Sequence, residues 1–247
     1  MLEPCAKPAN ARFAVFYAPP EDSVLARAGA DWLGRDAISG ETRMQARVAA
    51  ISAARLAELT SAARRYGLHG TLKPPFALNA GRTLAELDAA VAALAARQTA
   101  FSFGVQIAPL AGFFAWQPVS GQAQIEIVAA NCVIELDDFR MPADATELAR
   151  RRAAGLNARQ DELLLRWGYP YVLDQFRFHM TLTDRVAGDE AHQIQAMLEQ
   201  GGAGQTPAAL PFDSLCLFME PAPGADFRLI ARYGFDGQVQ RYTGWPA

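Results

Sequence analysis

Histidine and cysteine are both scarce in this sequence, with three of each among 247 residues. Cys5, Cys132 and Cys216 stand far apart, and none belongs to a Cys-x-x-Cys pair. That excludes a disulfide framework and a zinc knuckle, and the thiols are expected to be free in a reducing cytosol. A basic excess is also missing. The formal net charge is −3, which argues against a broad face for duplex DNA or a groove for long RNA. It leaves room for a small anion held by a few local cations. No uncharged apolar run is long enough to span a bilayer, so no membrane partner is expected. The opening MLEPCAKPANA lacks a basic start followed by an apolar core, so it does not read as a secretory signal. Residues 1–11 are expected to form a flexible tail, and the protein is expected to be cytoplasmic. A chain of this length, 51% hydrophobic, can bury a core as one large domain or two small lobes.

Hydrophobic periodicity gives a coarse order of elements. Residues 12–18, RFAVFYA, read as a buried strand that stops at Pro19-Pro20. Asp22-Ser23 caps a helix carrying Trp32 and Leu33. Residues 41–65 predict one or two helices, and 67–72 a strand limited by Pro74-Pro75. Residues 83–98 form an amphipathic helix with Thr83 and Glu86 in a capping box. Strands are expected over 101–107 and 112–117, and helices over 125–139 and 144–167. A strand at 176–183, a helix at 189–200 and a hairpin of strands at 212–219 and 227–235 complete the order.

One phrase occurs twice. RYGLHGTL, residues 65–72, and FRFHMTLTDR, residues 176–185, each place an apolar residue before His-x-Thr-Leu. Two of the three histidines, His69 and His179, sit in this setting. Each phrase is followed by a helix and then two strands, which suggests two pseudo-equivalent units. Helices and strands do not alternate strictly, so the expected fold is α+β with antiparallel sheets. The units are expected as two pseudo-symmetric αβ lobes of one bilobal domain over residues 1–247, their sheets facing across a central cleft.

Alternation along a strand puts residues i and i+2 on one face. His69 then projects with Thr71, and His179 with Thr181, while their apolar neighbours point to the other side. Imidazole has an unperturbed pKa near ~6.5, so one copy can act as base while the other acts as acid. The hydroxyls can donate to the non-bridging oxygens of a phosphate. No carboxylate has metal-ligand spacing beside the two histidines, so neither a metal nor another cofactor is expected. Tyr17, Tyr66, Lys73, Arg177 and Arg185 are the candidate substrate-binding residues. They flank the two motifs or, for Tyr17, end the first strand. His192, on a helical stretch with no Thr partner, reads as a surface residue.

With its two His-x-Thr motifs, His69-Gly70-Thr71 and His179-Met180-Thr181, the chain resembles the 2H phosphoesterase superfamily. That resemblance implies a bilobal αβ fold with the active site in the cleft. A narrower one rests on FYAPP, WLGRD, RYGLHGTLKPPF and WGYPYV…FRFHMTLTDR. These segments are similar to a bacterial branch named for phosphonate metabolism, often encoded beside carbon–phosphorus lyase genes. Superfamily members often carry Arg five positions after the second histidine; here Asp184 stands there and Arg185 follows. The resemblance implies a metal-independent enzyme of the hydrolase class, a 2H-type cyclic phosphodiesterase. Its substrate would be a small cyclic phosphate ester, such as a phosphoribosyl cyclic phosphate. The rival expectations are an RNA-end 2′,3′-cyclic phosphodiesterase or ligase, and a non-catalytic phosphate-ester binding protein.

Overall fold

A computed structural model describes residues 10–45, 47, 51–201, 203 and 206–243. In chain order the elements are β1 (Arg12–Tyr17), α1 (Val24–Leu33), α2 (Ala53–Leu59), α3 (Ser61–Arg64), β2 (Gly70–Ala77) and α4 (Leu84–Ala95). Next come β3 (Phe101–Phe103), β4 (Val105–Leu110), β5 (Phe113–Pro118), α5 (Gln122–Glu135), α6 (Ala145–Arg152) and α7 (Ala158–Trp167). The remainder is β6 (Met180–Thr181), α8 (Gly188–Glu199), β7 (Leu210–Phe212), β8 (Ser214–Glu220), β9 (Arg228–Gly234) and β10 (Val239–Arg241). Single 3-10 turns cover Asp137–Phe139 and Leu173–Gln175.

The class is α+β, and every strand pairing is antiparallel. Eight strands lie in the order β10-β9-β8-β1-β2-β6-β5-β4, and β3 pairs separately with β7. The repeat seen in the sequence reappears here. β2 is followed by α4, β3 and the hairpin β4–β5; β6 is followed by α8, β7 and the hairpin β8–β9. Equivalent elements meet each other: β2 pairs with β6, and β3 with β7. Each hairpin crosses to the other unit. β5 pairs with β6, while β8 reaches β2 through β1. The two motif strands are therefore neighbours in one sheet, joined edge to edge through the single registered pair Gly70 and Met180.

Alternation along β1 divides the two faces of the sheet. Phe13, Val15 and Tyr17 enter the main core with the apolar residues of α4 and α5. Ala14, Phe16 and Ala18 join a smaller cluster with Cys216, Phe218, Phe227 and Leu229. The motif residues belong to the face of this smaller cluster. Trp32 is fully buried, and its Nε1 donates to the Leu182 carbonyl at 2.8 Å, which ties α1 to the second motif strand. Glu220 is buried between Arg12 and Arg65, which pair with it from either side.

Several elements differ from the periodicity. The helix expected over 144–167 is two helices, because Gly155 takes a positive φ of 77° and Asn157 caps a new start with Gln160. The stretch 41–65 is helical only from Ala53, and residues 46 and 48–50 lie outside the described residues. β2 runs through Pro74 and Pro75. Beyond Gly70 its β6 side makes no ladder, so the missing N–H groups cost nothing there. The strand at 176–183 shortens to Met180–Thr181. β7 and β10, only three residues each, were too short to show a period. Of the expected tail, residues 1–9 lie outside the described residues, while Ala11 is fully buried. Cys132 and Cys216 are buried free thiols, and Cys5 lies outside the described residues.

Candidate active site

Register decides which side chains meet. Gly70 stands opposite Met180 in the antiparallel β2–β6 pair. The next positions outward place His69 opposite Thr181 and Thr71 opposite His179. Directly opposite residues share a face, so all four lie on one side of the sheet. His69 and His179 are then diagonal neighbours, a relationship that separates backbones by about 7–8 Å.

The middle residue of each motif explains how the strands come so close. A Cβ on Gly70 would lie 2.3 Å from the Phe178 ring. Only glycine leaves that space, so Phe178 seats against the first motif while Met180 fills the core behind it.

Both histidines are oriented by the same local bond. His69 Nδ1 donates to the Gly67 carbonyl at 2.9 Å, and His179 Nδ1 donates to the Arg177 carbonyl at 2.8 Å. In each ring this bond places the proton on Nδ1 and leaves Nε2 as an acceptor. For His69 the bond needs Gly67, whose φ of +74° and close approach to the Ala37 methyl exclude a side chain. His69 Nε2 lies 3.4 Å from the Thr71 hydroxyl.

The two imidazoles differ in surroundings. His69 packs between Phe16, with ring centroids 4.2 Å apart, and Tyr66, stacked at 5.3 Å and 27°. Burial among these rings pushes its pKa down to about 4, and the nearby His179 adds to the shift. His179 meets Phe113 at 5.5 Å. Its pKa is also lowered by burial.

Thr71 and His179 open into a cavity of about 430 Å³. Arg177 and Arg185 line the same cavity, together with Tyr169, Tyr171, Gln160 and Gln175. The last four were not singled out from sequence. Their signal was the WGYPYV stretch and the Gln-bearing segments on either side, which show no periodicity that would separate lining from packing. Tyr66 stands behind His69 and stacks on Phe227 as well. His192 is exposed on α8.

Two expected binding residues face elsewhere. Tyr17 pairs with Gly70 and so points to the opposite face, where it is 2% exposed among Phe103, Phe178 and Phe212. Lys73 is turned away by a register shift in β2, where Thr71 pairs with Phe16 but Lys73 with Val15. Its Nζ donates to the Val133 carbonyl at 3.1 Å and lies 3.8 Å from Asp137. Burial lowers this ammonium to about 8 against the pull of Asp137. Among the described residues, no three His, Cys, Asp or Glu side chains cluster to hold a metal ion.

Residues 71–228, more than half of the chain, match the family described as "Protein of unknown function (DUF1045)". The chain belongs to that family. The match begins at Thr71 of the first motif and contains the whole second motif. The chain is also similar to two proteins named "Ribose 1,5-bisphosphate phosphokinase PhnN". The one from Janthinobacterium sp. (strain Marseille) is 41% identical over 235 residues, covering 93% of this chain and 52% of that protein. The one from Laribacter hongkongensis (strain HLHK9) is 40% identical over 220 residues, covering 88% of this chain and 50% of that protein. The chain thus spans about half the length of the curated relatives it matches. Their names correct the expected enzyme class: a phosphokinase is a phosphoryl transferase, and the hydrolase assignment is not carried forward. No helix among the described residues is long and apolar enough to cross a membrane.

Proposed function

We propose that the His–Thr face is a phosphate-ester site for a small phosphorylated sugar, acting in phosphonate metabolism. The observation that carries this reading is the matched pair of imidazoles. Each donates Nδ1–H to a carbonyl two residues upstream, and each keeps Nε2 for the site. Thr71 and Thr181 supply hydroxyl donors beside them. The diagonal spacing leaves room for one phosphoryl group to touch both rings.

The chemistry follows from the geometry. One neutral imidazole takes the proton of a sugar hydroxyl as its oxygen bonds to phosphorus. The other, protonated on Nε2, gives a proton to the oxygen that leaves. The two hydroxyls hold the non-bridging oxygens through both events. Because burial lowers both histidines, the acidic proton arrives with the anionic ligand, whose charge favours an imidazolium.

The relatives' names point to a ribose phosphate as the ligand class, and the phosphonate context comes from the sequence resemblance. The chain carries no Gly-x-x-x-x-Gly-Lys-Ser/Thr loop, the usual cradle of nucleotide phosphates. The reading therefore rests on the paired motifs and not on nucleotide binding.

The test is a panel of ribose phosphate esters followed by 31P NMR, with binding read in parallel by calorimetry. His69→Gln and His179→Gln are each expected to slow turnover by about 10²–10⁴-fold. Thr71→Val and Thr181→Val are expected to cost about tenfold to a hundredfold. Binding and turnover unaffected in both histidine variants would overturn the reading. Ligand binding without turnover of any panel member would leave only the phosphate-binding half of it standing.

A further inference from the structure

The cavity beside the motifs carries two guanidinium groups outside the His–Thr motifs. Among the described residues, its lining includes Arg177 and Arg185 and no aspartate or glutamate, although acids outnumber bases in the whole chain. Elsewhere in the protein, Arg12, Arg55, Arg65 and Arg140 are each tied to a carboxylate. Among the described residues, neither Arg177 nor Arg185 has such a partner.

The two guanidinium groups come from different places. Arg177 stands two residues before His179, in the segment leading into β6. Arg185 follows β6 and lies beside Gly112, in the turn between β4 and β5. They nonetheless line one cavity. Its volume of about 430 Å³ falls in the usual small-ligand range of roughly 300–1,000 Å³. The lining also holds hydrogen-bonding Gln160, Gln175, Tyr169 and Tyr171, beside apolar residues such as Leu72 and Phe113. The glutamines and tyrosines suit hydroxyl groups. Unpaired guanidinium groups suit the planar, bidentate recognition of a phosphate.

We infer that this cavity takes a hydroxylated ligand bearing two phosphate groups, one at Thr71 and His179 of the His–Thr face and the other on Arg177 and Arg185. The inference rests on the reading of the His–Thr face as a phosphate site and adds a second anion subsite to it. A carbon chain carrying hydroxyls would meet the Gln and Tyr side chains of the lining. Arg177 and Arg185 then set the preference for bisphosphates over monophosphates, while the histidines and threonines serve both.

The experiment compares ribulose 1,5-bisphosphate, ribulose 5-phosphate and inorganic phosphate on the full chain. Affinity is read by calorimetry at fixed ionic strength, and contact with the motifs by the imidazole NMR signals of His69 and His179. The bisphosphate is expected to bind at least about tenfold tighter than the monophosphate, the worth of one added charge-assisted contact. In the Arg177→Gln, Arg185→Gln double variant, that advantage should vanish. The monophosphate should still shift the histidine signals, and the melting temperature should hold because both side chains are exposed. Equal affinity of bisphosphate and monophosphate in the unaltered protein would overturn the inference. So would an equal loss for both ligands in the variant, since both arginines would then serve the one phosphate on the motif face. Histidine signals unmoved by all three probes would instead overturn the phosphate-site reading itself.

Discussion

His69 and His179 make the same hydrogen bond from two different parts of the chain. Each Nδ1 donates to the carbonyl two residues upstream, at 2.9 Å to Gly67 and 2.8 Å to Arg177. The bond fixes one tautomer in both rings and leaves Nε2 of each as the acceptor. In the ligand-free protein at pH 7, both imidazoles are expected to be neutral with the proton on Nδ1. Nitrogen-15 NMR of the ring signals checks this directly. A proton on Nε2 in either ring would contradict the geometry.

Acid stability should report the enclosure of His69. Its pKa is pushed down to about 4 in the folded protein, against about 6.5 when unfolded. Between those values the unfolded chain binds a proton that the native site refuses, so stability falls as pH drops from about 6.5 toward 4. The stabilising contribution is fully present above about 6.5. His69→Gln removes the titration, and its melting temperature should fall less steeply over this window. Parallel curves for the two proteins would show that His69 is not held neutral by its surroundings.

The hydroxyl of Tyr17 is buried without a hydrogen-bond partner among the described residues, on the face away from the motifs. Tyr17→Phe removes a polar group whose desolvation is uncompensated. Stability should stay level or rise by about 1 kcal/mol, with ligand affinity unchanged. Thermal melts and calorimetry on the one variant settle both halves of the expectation.

Gly70→Ala should damage the site without touching a motif side chain. The added methyl meets the Phe178 ring at 2.3 Å, so the β2–β6 junction must open or Phe178 must move. A cost of about 1–3 kcal/mol is expected from such overpacking. A loss of turnover beyond that of a merely destabilised protein is expected too, because the two imidazoles separate. The measurement is turnover well below the melting temperature. Full activity there would mean the junction does not set their spacing.

Lys73→Met should leave ligand binding intact, since the ammonium is bound to the Val133 carbonyl and lies near Asp137, away from the cavity. Asp137 keeps Arg140 as a partner at 2.8 Å, so it is not left as an uncompensated charge. A large fall in affinity for the phosphate probes would return Lys73 to the site.

The sequence by itself determined the local facts. The repeated His-x-Thr phrase, the strand faces it occupies, the capping box at Thr83 and the α+β class follow from alternation, turn chemistry and capping, which act over a few residues. The two-unit order was also legible, because each motif carries its own helix and hairpin behind it. Tertiary structure decided the rest. A single register, Gly70 against Met180, puts both motifs on one face, and no local pattern encodes the pairing of strands 110 residues apart. A register shift in β2 turns Lys73 inward, although its spacing from Thr71 in the sequence pointed it outward. Tyr17 ends the first strand in the sequence, but only its pairing with Gly70 shows which face it occupies. Arg177 and Arg185 become a pair because two loops converge on one cavity, and that convergence belongs to the packing of the whole chain.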